Sequence, residues 1–140
     1  MDKVIVAAKL ESLRRCIKRI EDKQPHWGGL LTGDPDIQDI IVLNLTRAVQ
    51  LCVDIGSHLI SDTEEAAPQS MGDVFSRLEK LVIITPESSR QLKKAVGFRN
   101  VAVHNYQTIN WAMVHSVCSH SLVDFRRFAK EISRFIERGG

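Results

Sequence analysis

Residues 110–138, NWAMVHSVCSHSLVDFRRFAKEISRFIER, decide the fold class. They place Cys118, Leu122, Phe125, Ala129, Ile132 and Ile136 on one line, at alternating steps of four and three. That is the period of an α-helix with one buried face. The outer positions Arg126, Arg127, Lys130 and Arg134 are basic and read as a solvated surface. Gly139-Gly140 follows the end of the pattern.

Working back along the chain, the same period recurs. Thr85-Pro86-Glu87 is a helix start, with an acid where the helix dipole favours it. The helix it opens is predicted to end near Asn105, with Leu92, Val96, Arg99, Val103 and Tyr106 on its inward line. Before it, a short helix is expected to carry Val74, Phe75, Leu78 and Leu81 up to about Ile84, preceded by a loop over 61–72. Asp34-Pro35 is a second capped start, since aspartate caps and proline is tolerated at the first helical position. It opens a helix to about Ile60 with Ile37, Ile41, Leu45, Ala48, Cys52, Ile55 and Leu59 inward. The first helix spans about 3–22 on Val6, Leu10, Leu13, Ile17 and Ile20, with Arg14, Arg15, Lys18 and Arg19 outside. Between these two helices Pro25, Gly28, Gly29 and Gly33 mark a loop in which Trp27, Leu30 and Leu31 are expected to pack. No segment alternates like a strand. The prediction is an all-α antiparallel bundle of about five helices, in a single domain over 1–140.

Composition narrows the function. At 140 residues the chain is one domain with room for a core, and its charge of +2 does not by itself argue for nucleic acid. Cys16, Cys52 and Cys118 are far apart and lie in apolar stripes, so they read as free thiols of a reducing compartment. The start has no signal architecture and no apolar run approaches a membrane span, so a cytoplasmic protein with no membrane contact is expected. Gly28-Gly29 and Gly33 lack the lysine and preceding strand of a phosphate loop. His115 and His120, beside Cys118, point about 140° apart on a helix and lack zinc-ligand spacing. Neither a metal nor any other cofactor is expected.

The chemistry concentrates in Phe98-Arg99-Asn100-Val101-Ala102-Val103-His104-Asn105-Tyr106. Arg99 interrupts an apolar line, which is costly unless something pairs with it. Asn100 and His104 share a flank one turn apart. Histidine titrates near neutrality, and arginine offers a planar fork matched to phosphate. Together they suit in-line attack at an RNA phosphodiester, with the 2′-hydroxyl as built-in nucleophile, His104 moving the proton and Arg99 stabilising the phosphoryl charge. Asn100 supports the His104 ring or the substrate. On one helix Arg99 and His104 diverge by about 140°, so a two-fold dimer would be needed to present both to one phosphate. On spacing alone, a buried arginine with a hydrogen-bonded histidine holding the bundle in register explains the same residues. Asp54 and His58, four apart, form a second pair that either orients an imidazole or is structural.

Arg99-Asn100-x-x-x-His104-x-Tyr106 resembles the Arg-x4-His-x-Tyr signature of the HEPN superfamily, specifically its HepT-type toxins. Arg47-Ala48-Val49-Gln50, Asp54-Ile55-Gly56-Ser57-His58-Leu59-Ile60 and Asp124-Phe125 also resemble that family's pattern. The resemblance implies a metal-independent endoribonuclease toxin, active as a homodimer on RNA, with Arg99 and His104 catalytic. It further implies a partner, an MNT-type nucleotidyltransferase antitoxin, that transfers AMP from ATP to Tyr106. Near Arg99, the added bulk and negative charge would exclude a substrate phosphate. A different class of function fits the same fold: a non-catalytic helical accessory module that binds a nucleotidyltransferase and presents substrate or nucleotide to it.

Overall fold

The computed structural model describes residues 2–23 and 34–139. Its five α-helices are α1 (Lys3–Lys23), α2 (Pro35–Ser61), α3 (Met71–Lys80), α4 (Pro86–His104) and α5 (Trp111–Glu137), with a 3-10 turn at Tyr106–Thr108. Among the described residues there is no strand, and the all-α bundle expected from the periodicity is what forms. The residues expected to pack at Trp27, Leu30 and Leu31 lie outside the described part, as do the glycines of that loop.

All five helix starts are fixed by side chains that accept from otherwise unpaired backbone N–H groups, Asp2 accepting from Val4 and Ile5 at the start of α1. Asp34 accepts from the amides of Asp36 and Ile37, with Pro35 in the first turn. Ser70 accepts from Asp73. Thr85 accepts from Ser88, with Pro86 in the first turn. Asn110 accepts from Ala112 and Met113. Each such cap is worth about 1 kcal/mol.

α2 is the axis of the bundle and packs against all four other helices. Ile41, Leu45, Ala48, Cys52, Ile55 and Leu59 are buried as predicted, whereas Ile37 is half-buried. Phe75 of α3 meets Phe128 of α5 edge-on, with ring centroids 6.1 Å apart. At Gly56 the α2 backbone comes so close to α3 that a methyl would lie 2.4 Å from Val74 Cγ1. Contrary to the sequence reading, α2 does contain an 18-residue stretch of mean hydropathy 1.4, enough by length and composition to cross a membrane. Its central place explains that apolarity, since 56% of the stretch is buried inside the bundle.

Two expected boundaries move. α3 stops at Lys80 rather than running to Ile84. Val82 takes a left-handed conformation, φ 59°, that breaks the helix. Its N–H donates to Glu79 and that of Ile83 to Leu78, so a turn closes the helix and tucks Ile83 into the core. On α4 the inward line passes through Leu92, Ala95 and Ala102, while Val103, expected inward, is 51% exposed. The observed line Ser88, Leu92, Ala95, Arg99 and Ala102 keeps the four-three spacing but takes the other phase from Leu92, so Ala102 rather than Val103 is the last residue turned into the core.

A β-branched residue in the left-handed region is strained, and Val82 is exposed, so its side chain offsets none of that cost. Val82→Gly is expected to stabilise the fold by about 1 kcal/mol, read as a higher urea midpoint with an unchanged slope.

Candidate active site

α4 carries the site and is pinned at both ends. At its start the Glu131 carboxylate of α5, buried, accepts from the Thr85 N–H at 2.7 Å and from the Ser88 hydroxyl. At its end Asn105 caps the last turn through its N–H to the Val101 carbonyl, 2.8 Å. The chain then makes the 3-10 turn and enters α5 at Asn110. Helix, turn and next helix therefore follow within a few residues, and the motif sits at that corner.

Arg99, Asn100 and His104 occupy the last turns of α4. Arg99 keeps its place on the inward line between buried Ala95 and Ala102, but is itself half-exposed. Its guanidinium reaches only Asn100 Oδ1, at 3.4 Å, and has no carboxylate partner among the described residues. Asn100 and His104 are exposed, and the His104 ring makes no hydrogen bond among the described residues. Neither Arg99 nor His104 is buried or used to hold the bundle in register, which removes the structural explanation of the pair. Asn100 contacts Arg99 instead of supporting the His104 ring.

Tyr106 is not on the α4 helical line, as the spacing suggested, but in the 3-10 turn beyond it. Its ring stands edge-on to Trp111, centroids 6.0 Å apart, and its hydroxyl donates to the Asp39 carboxylate of α2. Loss of solvation, then the hydrogen bond and negative charge of Asp39, push the phenol from its ordinary 10 up to about 12. Asp39 was not singled out in the sequence. It lies 67 residues from Tyr106, and no local pattern connects the two.

The other candidates separate from this corner. Asp54 and His58 do not pair with each other. Asp54 accepts from Gln50 at 2.9 Å and lies 3.9 Å from Lys9, while His58 Nε2 accepts from the Asp2 N–H. Both thus tie the start of α1 to α2. Asp124 binds Arg127 at 3.0 Å, and Phe125 is core. Cys16, Cys52 and Cys118 are free and buried, and burial raises all three thiols, Cys118 to about 12. Among the described residues no three His, Cys, Asp or Glu side chains cluster as metal ligands.

Comparison with known proteins gives a consistent set of relatives. Residues 11–132 match the family model described as "Ribonuclease HepT-like". The chain is 40% identical over 124 residues to an mRNA nuclease HepT of Shewanella oneidensis, covering 89% of this chain and 92% of the relative. It is 27% identical over 100 residues to a tRNA nuclease HepT of Aphanizomenon flos-aquae, covering 71% and 68%. A solved structure of a tri-AMPylated Shewanella oneidensis HEPN toxin in complex with an MNT antitoxin superimposes with a TM-score of 0.87. That match is 38% identical and covers 93% of this chain and 97% of the other.

Tyr106 is the only tyrosine, so tyrosinate absorbance reports it alone. Asp39→Asn is expected to lower its titration midpoint from about 12 toward the ordinary 10. The linkage has a definite sign. Because the folded pKa is the higher one, this group's contribution to stability is intact below about pH 10 and is lost as pH rises to about 12. The wild type should lose stability across that window more steeply than the Asp39→Asn protein.

Proposed function

The chain belongs to the HepT-like family of ribonucleases, and from that footing we propose that it is a metal-independent endoribonuclease toxin whose catalytic groups are Arg99 and His104. It is the toxin of a prokaryotic toxin–antitoxin system, neutralised by a nucleotidyltransferase. The same reading puts it in the cytoplasm with its RNA. The observation that carries the site assignment is the state of the α4 end: a half-exposed guanidinium with no carboxylate partner and an exposed, unbonded imidazole among the described residues, five residues apart.

The chemistry follows from those two groups. His104 takes the proton from a 2′-hydroxyl, whose oxygen attacks the adjacent phosphorus in line. Arg99 binds the non-bridging oxygens, where charge grows in the transition state. The bond to the 5′-oxygen breaks, that oxygen receives a proton, and the products are a 2′,3′-cyclic phosphate and a 5′-hydroxyl. Since Arg99 and His104 diverge by about 140° on one helix, a homodimer completes the site, with the partner's His104 facing Arg99 across a two-fold cleft. Val101 and Val103, 47% and 51% exposed on the same turns, are apolar surface that such a partner would cover.

Neutralisation acts at Tyr106. The MNT-type antitoxin transfers AMP from ATP: the phenol oxygen bonds to the α-phosphorus, pyrophosphate leaves, and the phenol proton passes to Asp39 or to water. The hydroxyl is held within hydrogen-bond reach of that carboxylate. The nucleotide adds bulk and negative charge at the corner where α4 presents Arg99.

Cleavage of RNA by purified protein in EDTA tests the catalytic assignment. Wild type should cleave and leave cyclic phosphate ends, and His104→Ala and Arg99→Ala should each lose about 100-fold or more without loss of the folded dimer. With folded, unmodified wild type inactive, the accessory-module reading would take its place. In a second experiment, antitoxin and ATP should add AMP to wild type, read by mass, and stop cleavage. Tyr106→Phe should take up no AMP and stay active in the antitoxin's presence.

A further inference from the structure

A groove of about 540 Å³ runs along the seam of α1 and α2, outside the corner just described. Arg15 and Arg19 of α1 line one wall and Arg47 of α2 the other. Arg19 and Arg47 have no acidic partner among the described residues. Their neighbours on the same face of α1 differ: Arg14 is held by Glu11 at 2.5 Å and Lys18 by Asp22 at 2.9 Å. Arg15 shares Glu11 at 3.6 Å, and Asp54, the one carboxylate among the described residues lining the groove, sits at its far end near Lys9. Two arginine forks therefore face open space across a channel. Between them Leu43, 47% exposed, and half-buried Ile40 provide apolar floor beside the amide of Asn44.

The groove leads to the corner. Asp39, which holds the Tyr106 hydroxyl, stands one turn before Leu43 and two turns before Arg47 on the same face of α2. At about 1.5 Å per residue, Arg47 lies about 12 Å along the helix from Asp39, a span of a few nucleotides. We propose that this arginine-lined groove binds the phosphate backbone of the single-stranded RNA that lies beyond the scissile bond, with apolar floor under its bases. The proposal rests on the ribonuclease reading for the identity of the strand. Guanidinium forks without a protein partner fit phosphodiesters, and an apolar floor tolerates any base. A second copy of the chain is the poorer occupant, because two-fold pairing through this groove would set Arg15, Arg19 and Arg47 against their own copies.

The test measures binding separately from cleavage. Fluorescence anisotropy follows a labelled eight-nucleotide RNA titrated with full-length His104→Ala protein, alone and with Arg19→Ala/Arg47→Ala added. A control carries Arg14→Ala/Arg126→Ala, which removes the same charge outside the groove. The groove pair should weaken binding about 10-fold or more, and reduce the slope of log affinity against log salt by about 1.4, the value for two lost phosphate contacts on a single strand. The control should change neither. Equal effects of the two double variants would overturn the proposal, as would no effect, or a change in oligomeric mass confined to the groove variant, which would make this face a protein interface. If wild type binds the RNA through the groove but does not cleave it, the ribonuclease reading falls and the binding site stands.

Discussion

The buried carboxylate of Glu131 is the contact on which the placement of α4 depends. It takes the Thr85 amide and the Ser88 hydroxyl together, in the first turn of the helix that carries every proposed catalytic group. A carboxylate removed from water is costly unless hydrogen bonds and local positive potential offset it. Here both come from a helix N-terminus, where unpaired amides and the macrodipole favour an anion. The pairing joins α4 and α5 through residues 43 apart in sequence and fixes where α4 begins. Because a helix is stiff over its length, fixing its start also fixes where its last turns emerge.

Those last turns are where the bundle stops covering its own surface. Burial along α4 runs from Ser88 through Leu92 and Ala95 and ends at Ala102. Beyond it the side chains of Val103 and His104 face outward, and Arg99 is left with one long contact to its neighbour. The helix is therefore divided: most of it packs into the core, and its last turns form an arm that presents polar groups at the surface. Tyr106 returns the chain to the bundle through Asp39, so the arm is held at both ends while its surface stays open.

Much of this was legible because it is local. Asp34-Pro35, Thr85-Pro86 and Asn110 start helices through contacts two or three residues away, and the sequence shows them directly. The four-three lines of α2 and α5 largely hold because those helices are packed along most of their length. The motif residues Arg99, His104 and Tyr106 were readable as a string, and the family they point to is the one the chain belongs to. What failed was geometric. Val82 ends α3 through a backbone conformation that a valine does not advertise. A repeat extrapolated through Val103 to Tyr106 ran past Ala102, the last buried position of α4, and past the Asn105 cap. Asp39 and Glu131 were invisible for the opposite reason: their partners are 67 and 43 residues away, and only folding brings them together.

The link between Tyr106 and Asp39 has a mechanical side. The phenol proton is what ties the corner after α4 to α2, and that same oxygen is the one to which AMP would be attached. Esterified, it has no proton to donate, and a phosphate stands beside a carboxylate that formerly held the ring in place. Modification would then unmoor the corner as well as block it, freeing the end of the arm from the axis of the bundle. Removal of the nucleotide would restore the tether and the open site in one step.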